Sequence, residues 1–150
     1  PNPPEENQEP PEVHKRNIFV VKINSQNNLL FDGQIGDLKA LRARAKEFLS
    51  NPQNLSNLPE KETMDIPLLG TMEVSKGVIS LQNDRGTSYD MYIQVQNELM
   101  AAVNEMREDL SIARFQRSYA DLGNEQRTAI DKAIPASISE AEPTKIGGNK

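Results

Sequence analysis

The sequence predicts an α+β fold: a two-layer sandwich with a small mixed sheet and helices on one of its faces. Three observations carry this. The run IFVVKI at 18–23 is apolar and β-branched, as a strand requires. Seven apolar residues from Met91 to Leu110 (Met91, Val95, Leu99, Ala102, Val103, Met106 and Leu110) recur at steps of three and four, which marks a helix of about five turns. The segments between and around these two give the order hairpin, helix, strand, helix, helix, strand. At 150 residues the chain suits one domain, which buries roughly 70% of the surface its unfolded form exposes. Only 36% of its residues are apolar and 26% are charged, so the core is expected to be compact and aliphatic, with polar chain left outside.

Composition also narrows the chemistry. With no cysteine, a disulfide framework, a thiolate zinc site, an iron–sulfur cluster and a cysteine nucleophile all fall away. The single histidine, His14, is expected in the polar N-terminal tail, which leaves a Ser/His/Asp triad without its base in the folded part. A net charge of −5 is the wrong sign for a protein living on nucleic-acid phosphates. No apolar run approaches the ~18 residues that would span a bilayer. The expectation is therefore a domain that is not an enzyme and takes no cofactor or metal.

Taken in order, residues 1–12 (PNPPEENQEPPE) hold five of the ten prolines and four glutamates. Such a stretch cannot bury enough surface to offset its ordering entropy, and its prolines favour an extended backbone, so 1–16 is expected to be a semi-stiff linker. A frayed terminus is as plausible on composition alone. The run at 18–23 is apolar on both faces and is expected to be central or well covered. After the polar cluster 24–28, Leu29, Leu30 and Phe31 form a second strand ending at Asp32-Gly33, a tight-turn pair, and the two strands are expected to pair as an antiparallel hairpin. Asp37 stands as the N-cap of a helix over about 38–49, with Leu38, Leu41, Ala45, Phe48 and Leu49 as its apolar stripe. Lys39, Arg42, Arg44 and Lys46 on its other side read as a solvated face rather than an anion site.

From 50 to 76, Pro52, Pro59, Pro67 and Gly70 interrupt any period, although Ile66, Leu68, Leu69, Met72 and Val74 supply apolar anchors. This segment is expected to be a long, partly packed insertion lying on the domain edge, with a lid or partner-binding role as the alternative. Val78 to Asp84 alternates as a strand with one buried face. Arg85, Gly86, Thr87 and Ser88 follow as a turn and N-cap; backbone N–H groups there offer a weak cradle for an anion, without a phosphate-loop motif. Beyond Leu110 the apolar set changes phase to Ile112, Phe115, Tyr119 and Leu122, which fits continuation of the helix or a short kink. Gly123 is expected to cap the end of that helix, Asn124 to be the N-cap of another over about 125–133, and Pro135 to close it. Residues 136–140 are expected to form the last strand, within a domain spanning 17–142, followed by a flexible tail at 143–150. The neighbours Glu108 and Asp109 point in different directions from a helix and make a poor proton-sharing pair.

Two stretches give this order a resemblance. FVVKINSQNNLLFDGQIGDLKALRARAKEFL at 19–49 and GVISLQNDRGTSYDMYIQVQNELMAAVNEMR at 77–107 resemble the periplasmic domain of the ExbD/TolR family of biopolymer-transport proteins. The likeness covers about half the chain in diffuse motifs, and the regions 50–76 and 111–135 depart from the shorter family members. The resemblance implies a single-pass inner-membrane protein whose N-terminal helix carries a proton-handling aspartate. That helix would lie upstream of Pro1, with the proline tract as its connection to a periplasmic domain. It further implies an ExbB/TolQ-like membrane partner, a TonB/TolA-like periplasmic partner, a homodimer and, for TolR-like members, contact with peptidoglycan.

Helices covering one face of a sheet leave edges, and possible sites for self-pairing or strand addition are expected near Leu30 in the hairpin and near Ile138 in the final strand. A different reading is a stand-alone ligand binder that uses 50–76 as a lid over the turn from Arg85 to Ser88.

Overall fold

A computed structural model of the chain describes residues 14–140; the first thirteen residues of the expected linker, and the tail at 143–150, lie outside the described residues. The strands β1 (Ile18–Ile23), β2 (Leu29–Phe31), β3 (Gln34–Ile35), β6 (Val78–Asn83) and β7 (Ile138–Glu140) form one mixed sheet in the order β3-β2-β1-β6-β7. The remaining strands, β4 (Lys61–Ile66) and β5 (Gly70–Ser75), form a separate two-stranded sheet. The helices are α1 (Leu38–Ser50), α2 (Tyr89–Phe115) and α3 (Asn124–Ala133). The α+β class and the expected element order are those observed, with β3 and the β4–β5 hairpin added.

Pairing follows from the residues. β1 and β2 are antiparallel with Val21 opposite Phe31 and Ile23 opposite Leu29, as the hairpin reading requires. Asp32-Gly33 then turns β2 into the two-residue β3; Asp32 at φ 55° and Gly33 at φ 76° supply the two left-handed positions of a type I′ turn. β6 lies parallel to β1 in register Ile18–Val78 to Ile23–Asn83, and β7 lies parallel to β6.

The core sits between the sheet and the two longer helices. Phe19, Val21, Ile23, Ile79 and Leu81 from the sheet meet Leu41, Ala45 and Phe48 of α1 and Val95, Leu99 and Val103 of α2. Each such aliphatic side chain removed from water contributes about 1.5–3 kcal/mol. Asp37 caps α1 as expected, its Oδ1 accepting from the Ala40 N–H at 2.7 Å. Arg42 ties the helices together, donating to Glu98 at 2.7 Å and Glu105 at 2.9 Å, and Lys46 reaches Glu105 at 3.2 Å. These bonds hold the Glu105 carboxyl below its ordinary range.

Three expectations need correction. Residues 50–76 are not an irregular connection: after a loop at 51–60 they form the β4–β5 hairpin, with Met64 opposite Met72. Ile66, Leu69 and Val74 are buried there against Leu122, Ala129, Ile130 and Ala133, a second core that flanks the first. Next, α2 continues through Ser111, as expected, but stops at Gln116, whose φ of 57° ends the helix; Ser111 is buried and donates to the Arg117 carbonyl at 2.6 Å. Tyr119 therefore stands in a 3₁₀ turn and Leu122 just after it, rather than on the helix, and Gly123, not Asn124, is the N-cap of α3 rather than the end of α2. Finally, β1 is central in the sheet but covered on one face only, because both long helices pack on the same side.

Folding also begins earlier than the expected boundary. Lys15–Asn17 form a 3₁₀ turn, and Arg16 donates to the Leu58 carbonyl at 2.7 Å and the Leu55 carbonyl at 3.2 Å. His14 stands at this margin and not in a tail, its Nδ1 3.1 Å from Glu60.

Candidate interaction surface

Strand alternation decides what the uncovered face presents. Since Phe19, Val21 and Ile23 point to the helices, Ile18, Val20 and Lys22 point away from them. Register carries this across the sheet: Leu30 and Gln82 flank Lys22, Ser80 flanks Val20, Val78 flanks Ile18, Ile35 flanks Leu30, and Ser139 flanks Ser80. The resulting surface is apolar along the β1–β2–β3 side, with Ile18, Val20 and Ile35 exposed to 38%, 44% and 66%. Toward β7 it becomes polar through Ser80, Gln82 and Ser139. Lys22 crosses the face to Asp84 at 3.5 Å.

At the start of β1 this face runs into a shallow groove of about 340 Å³ bordered by Ile18, Val20, Lys22, Leu30 and Arg44. Arg44 lies 4.8 Å above the Phe19 ring and donates to Asp32 at 2.7 Å and 3.2 Å. Its Nη1 makes no hydrogen bond and is 3.8 Å from Glu47. The guanidinium thus serves mainly to fasten the β2–β3 turn to α1.

The two residues singled out as edge positions fare differently. Ile138 does lie on an edge strand, β7, although its side chain packs on the main core. Leu30 does not mark the opposite edge, because β2 is paired on both sides: Leu30 faces Lys22 of β1 and Ile35 of β3. The edge there is β3, and Ile35 is its exposed apolar residue. Sequence reasoning missed Ile35 because two residues after a turn carry no periodic signal; the Asp-Gly pair was the available clue.

The β7 edge is tied to α2. Glu140 of β7 accepts from Gln96 of α2. Burial, with the Glu140 carboxylate beside it, pushes the Tyr92 hydroxyl up to about 12. At the start of the central strand, Glu60 anchors the loop at 51–60 to the beginning of β1. Its N–H donates to Asn17 Oδ1 at 2.8 Å, and its carboxylate accepts from Asn17 Nδ2 at 3.0 Å. The Asn17 amide, and then His14 and Lys76, hold the Glu60 carboxyl below its ordinary range. Buried Asn51 completes the loop, donating to the Pro59 carbonyl at 2.9 Å and accepting from the Leu55 N–H at 2.8 Å.

The turn from Arg85 to Ser88 is occupied with its own bonding. Ser88 Oγ accepts from the Met91 N–H at 3.0 Å, and the Ser88 N–H donates to Asn27 Oδ1 at 2.8 Å. Asp84 and Asp90 add negative charge to the same end of α2. The insertion does not cover this turn. β6 runs from Val78, beside the β4–β5 hairpin, to Asn83, beside the turn, so the two lie at opposite ends of a strand about 20 Å long. Among the described residues no three His, Cys, Asp or Glu side chains gather as a metal site would require, and no helix is long and apolar enough to cross a membrane.

A residue that sequence reading took as an anchor is exposed. Leu68, 56% accessible, is the third residue of the turn Ile66-Pro67-Leu68-Leu69, and its φ of 74° is one that a branched side chain rarely adopts. Comparison with known proteins adds nothing to this geometry: neither the scan against protein-family models nor the search of curated proteins finds a match.

Proposed function

We propose that the chain is a coupling domain of the ExbD/TolR kind, the periplasmic part of a single-pass inner-membrane protein in a proton-motive-force-driven transport system. On this reading the domain does no chemistry. It associates with a second copy of itself through the uncovered sheet, meets a TonB/TolA-like partner, and is tethered by the proline tract to a membrane helix beside an ExbB/TolQ-like protein. The observation that supports it best is the sheet itself, which is covered by helices on one side while the other presents Ile18, Val20 and Ile35 to solvent, with short strands at both margins. A sheet exposing such a face suits pairing with a second protein surface, and tethering in a membrane raises the local concentration enough for weak contacts to matter.

The test is made in the organism that encodes the gene. Val20→Lys combined with Ile35→Lys places two charges on the uncovered face without touching the core, and is expected to abolish proton-motive-force-dependent uptake while the protein accumulates normally. Undiminished uptake in that variant would contradict the reading.

A further inference from the structure

The groove at the start of β1 lies where residues 1–13 join the described chain: Lys15 and Arg16 line it together with Ile18, Val20, Lys22 and Leu30. Charge there is one-sided. Four cations, Lys15, Arg16, Lys22 and Arg44, line the groove against a single carboxylate, Asp32, which already accepts two bonds from Arg44. The carboxylates that approach the other cations stand outside the lining and at a distance. Glu60 is 3.8 Å from Arg16 and Asp84 is 3.5 Å from Lys22, against about 2.7–2.9 Å for a charge-assisted bond. Lys15 has no ion pair among the described residues. The excess extends beyond the groove, since residues 14–50, which build β1 to β3 and α1, hold seven Lys and Arg against three Asp and Glu in a chain of net charge −5.

The compensating charge is next door in the sequence. Residues 1–13 (PNPPEENQEPPEV) carry Glu5, Glu6, Glu9 and Glu12 and neither Lys nor Arg. Their spacing matters as much as their sign. The polyproline II backbone that prolines favour has three residues per turn. At that period Glu6, Glu9 and Glu12 share one edge, and Pro1, Pro4, Pro10 and Val13 share the next. A ribbon with an acidic edge beside an apolar one complements a groove in which lysines stand beside Ile18, Val20 and Leu30. Length is sufficient: at about 3.1 Å per residue thirteen residues reach about 40 Å, twice the ~20 Å of β1. Joined to the border of the groove, the tract meets it at the high effective concentration of a short tether.

We propose that the acidic proline tract at 1–13 docks in this groove of its own chain, with Glu6, Glu9 and Glu12 toward Lys15 and Lys22 and the prolines over Ile18 and Val20. The inference does not depend on the coupling reading. The docked tract covers part of the face which that reading gives to a second copy, so on that reading the two compete.

The test compares NMR spectra of the full chain, with labelled Ile, Leu and Val methyl groups, with those of the triple variant Glu6→Gln, Glu9→Gln, Glu12→Gln, which leaves residues 14–140 untouched. At about 10 mM salt, where charges act over about 30 Å, the Ile18 and Val20 methyl signals are expected to differ between the two chains, while those of buried Ile79 and Ile130 coincide. At about 1 M salt, where that range is about 3 Å, the difference is expected to vanish. Because the chain has no cysteine, Asn7→Cys accepts a single nitroxide in the middle of the tract. Its broadening of the Val20 and Leu30 signals is expected to fall severalfold from low to high salt. Identical Ile18 and Val20 signals in the two chains at low salt would overturn the proposal, as would a difference or a broadening that persists undiminished at 1 M salt. A difference that grows with protein concentration would assign the groove to a second copy and overturn the contact within one chain.

Discussion

Glu60 shows how a single carboxylate can hold a loop against a strand at a half-buried position. Its folded-state pKa lies below that of the unfolded chain, where a glutamate titrates near about 4.3. Its contribution is therefore complete above that pH and disappears as pH falls through the depressed folded value. Thermal unfolding followed between neutral and acid pH should find Glu60→Gln less stable than the natural protein at neutrality, with the two converging in acid. A constant gap across the range would show that the ionised form does not matter. Leu68 makes the opposite case, a residue at odds with its backbone. Glycine at the same position of this turn relieves a left-handed strain of about 1–3 kcal/mol at an entropic cost of about 0.5–1 kcal/mol. Leu68→Gly is accordingly expected to stabilise the protein by about 0.5–1 kcal/mol in denaturant unfolding.

At the level of elements, signal strength tracked burial on one consistent face. The stripe from Met91 to Leu110 and the run at 18–23 were legible because their apolar residues repeat with the period of the structure they form. The β4–β5 hairpin was not, since Lys61–Ile66 and Gly70–Ser75 alternate only weakly and bury little besides Ile66 and Val74. Pro67 and Gly70, read as interruptions, are the turn and the first residue of the second strand. Gly77 between β5 and β6 was legible only as the residue that opens the next strand, yet a Cβ there would stand 2.7 Å from Pro59 and 2.9 Å from Phe48, so the hairpin and the loop close on α1 through its bare backbone. The two faces of the main sheet should also separate by mutation. Ile79→Ala empties a fully buried position and is expected to cost about 2–5 kcal/mol, whereas Val20→Thr on the uncovered face should stay within about 0.5 kcal/mol. Equal costs in chemical denaturation would mean that the uncovered face is packed against something in the isolated protein.

For the molecule as a whole, the order of elements allowed the α+β class and the one-sided helical layer to be anticipated, but not which strands would be marginal. Ile138 lies at an edge because, among the described strands, β7 pairs with β6 alone. Leu30 was misplaced because the short β3 adds itself beyond the hairpin and moves the edge to Ile35. The apolar character of the uncovered face was visible in IFVVKI as an excess of apolar residues; only the packing of α1 and α2 on the same side shows that Ile18 and Val20 are left to solvent. That face is where the account locates association.

Sedimentation equilibrium of the purified chain over a wide concentration range, beside the Val20→Lys, Ile35→Lys double variant, examines this most directly. The natural sequence should rise from 16.8 kDa toward twice that mass as concentration increases, and the charged variant should remain at 16.8 kDa throughout. A natural chain that stays monomeric at millimolar concentration, or a variant that associates as readily, would contradict it.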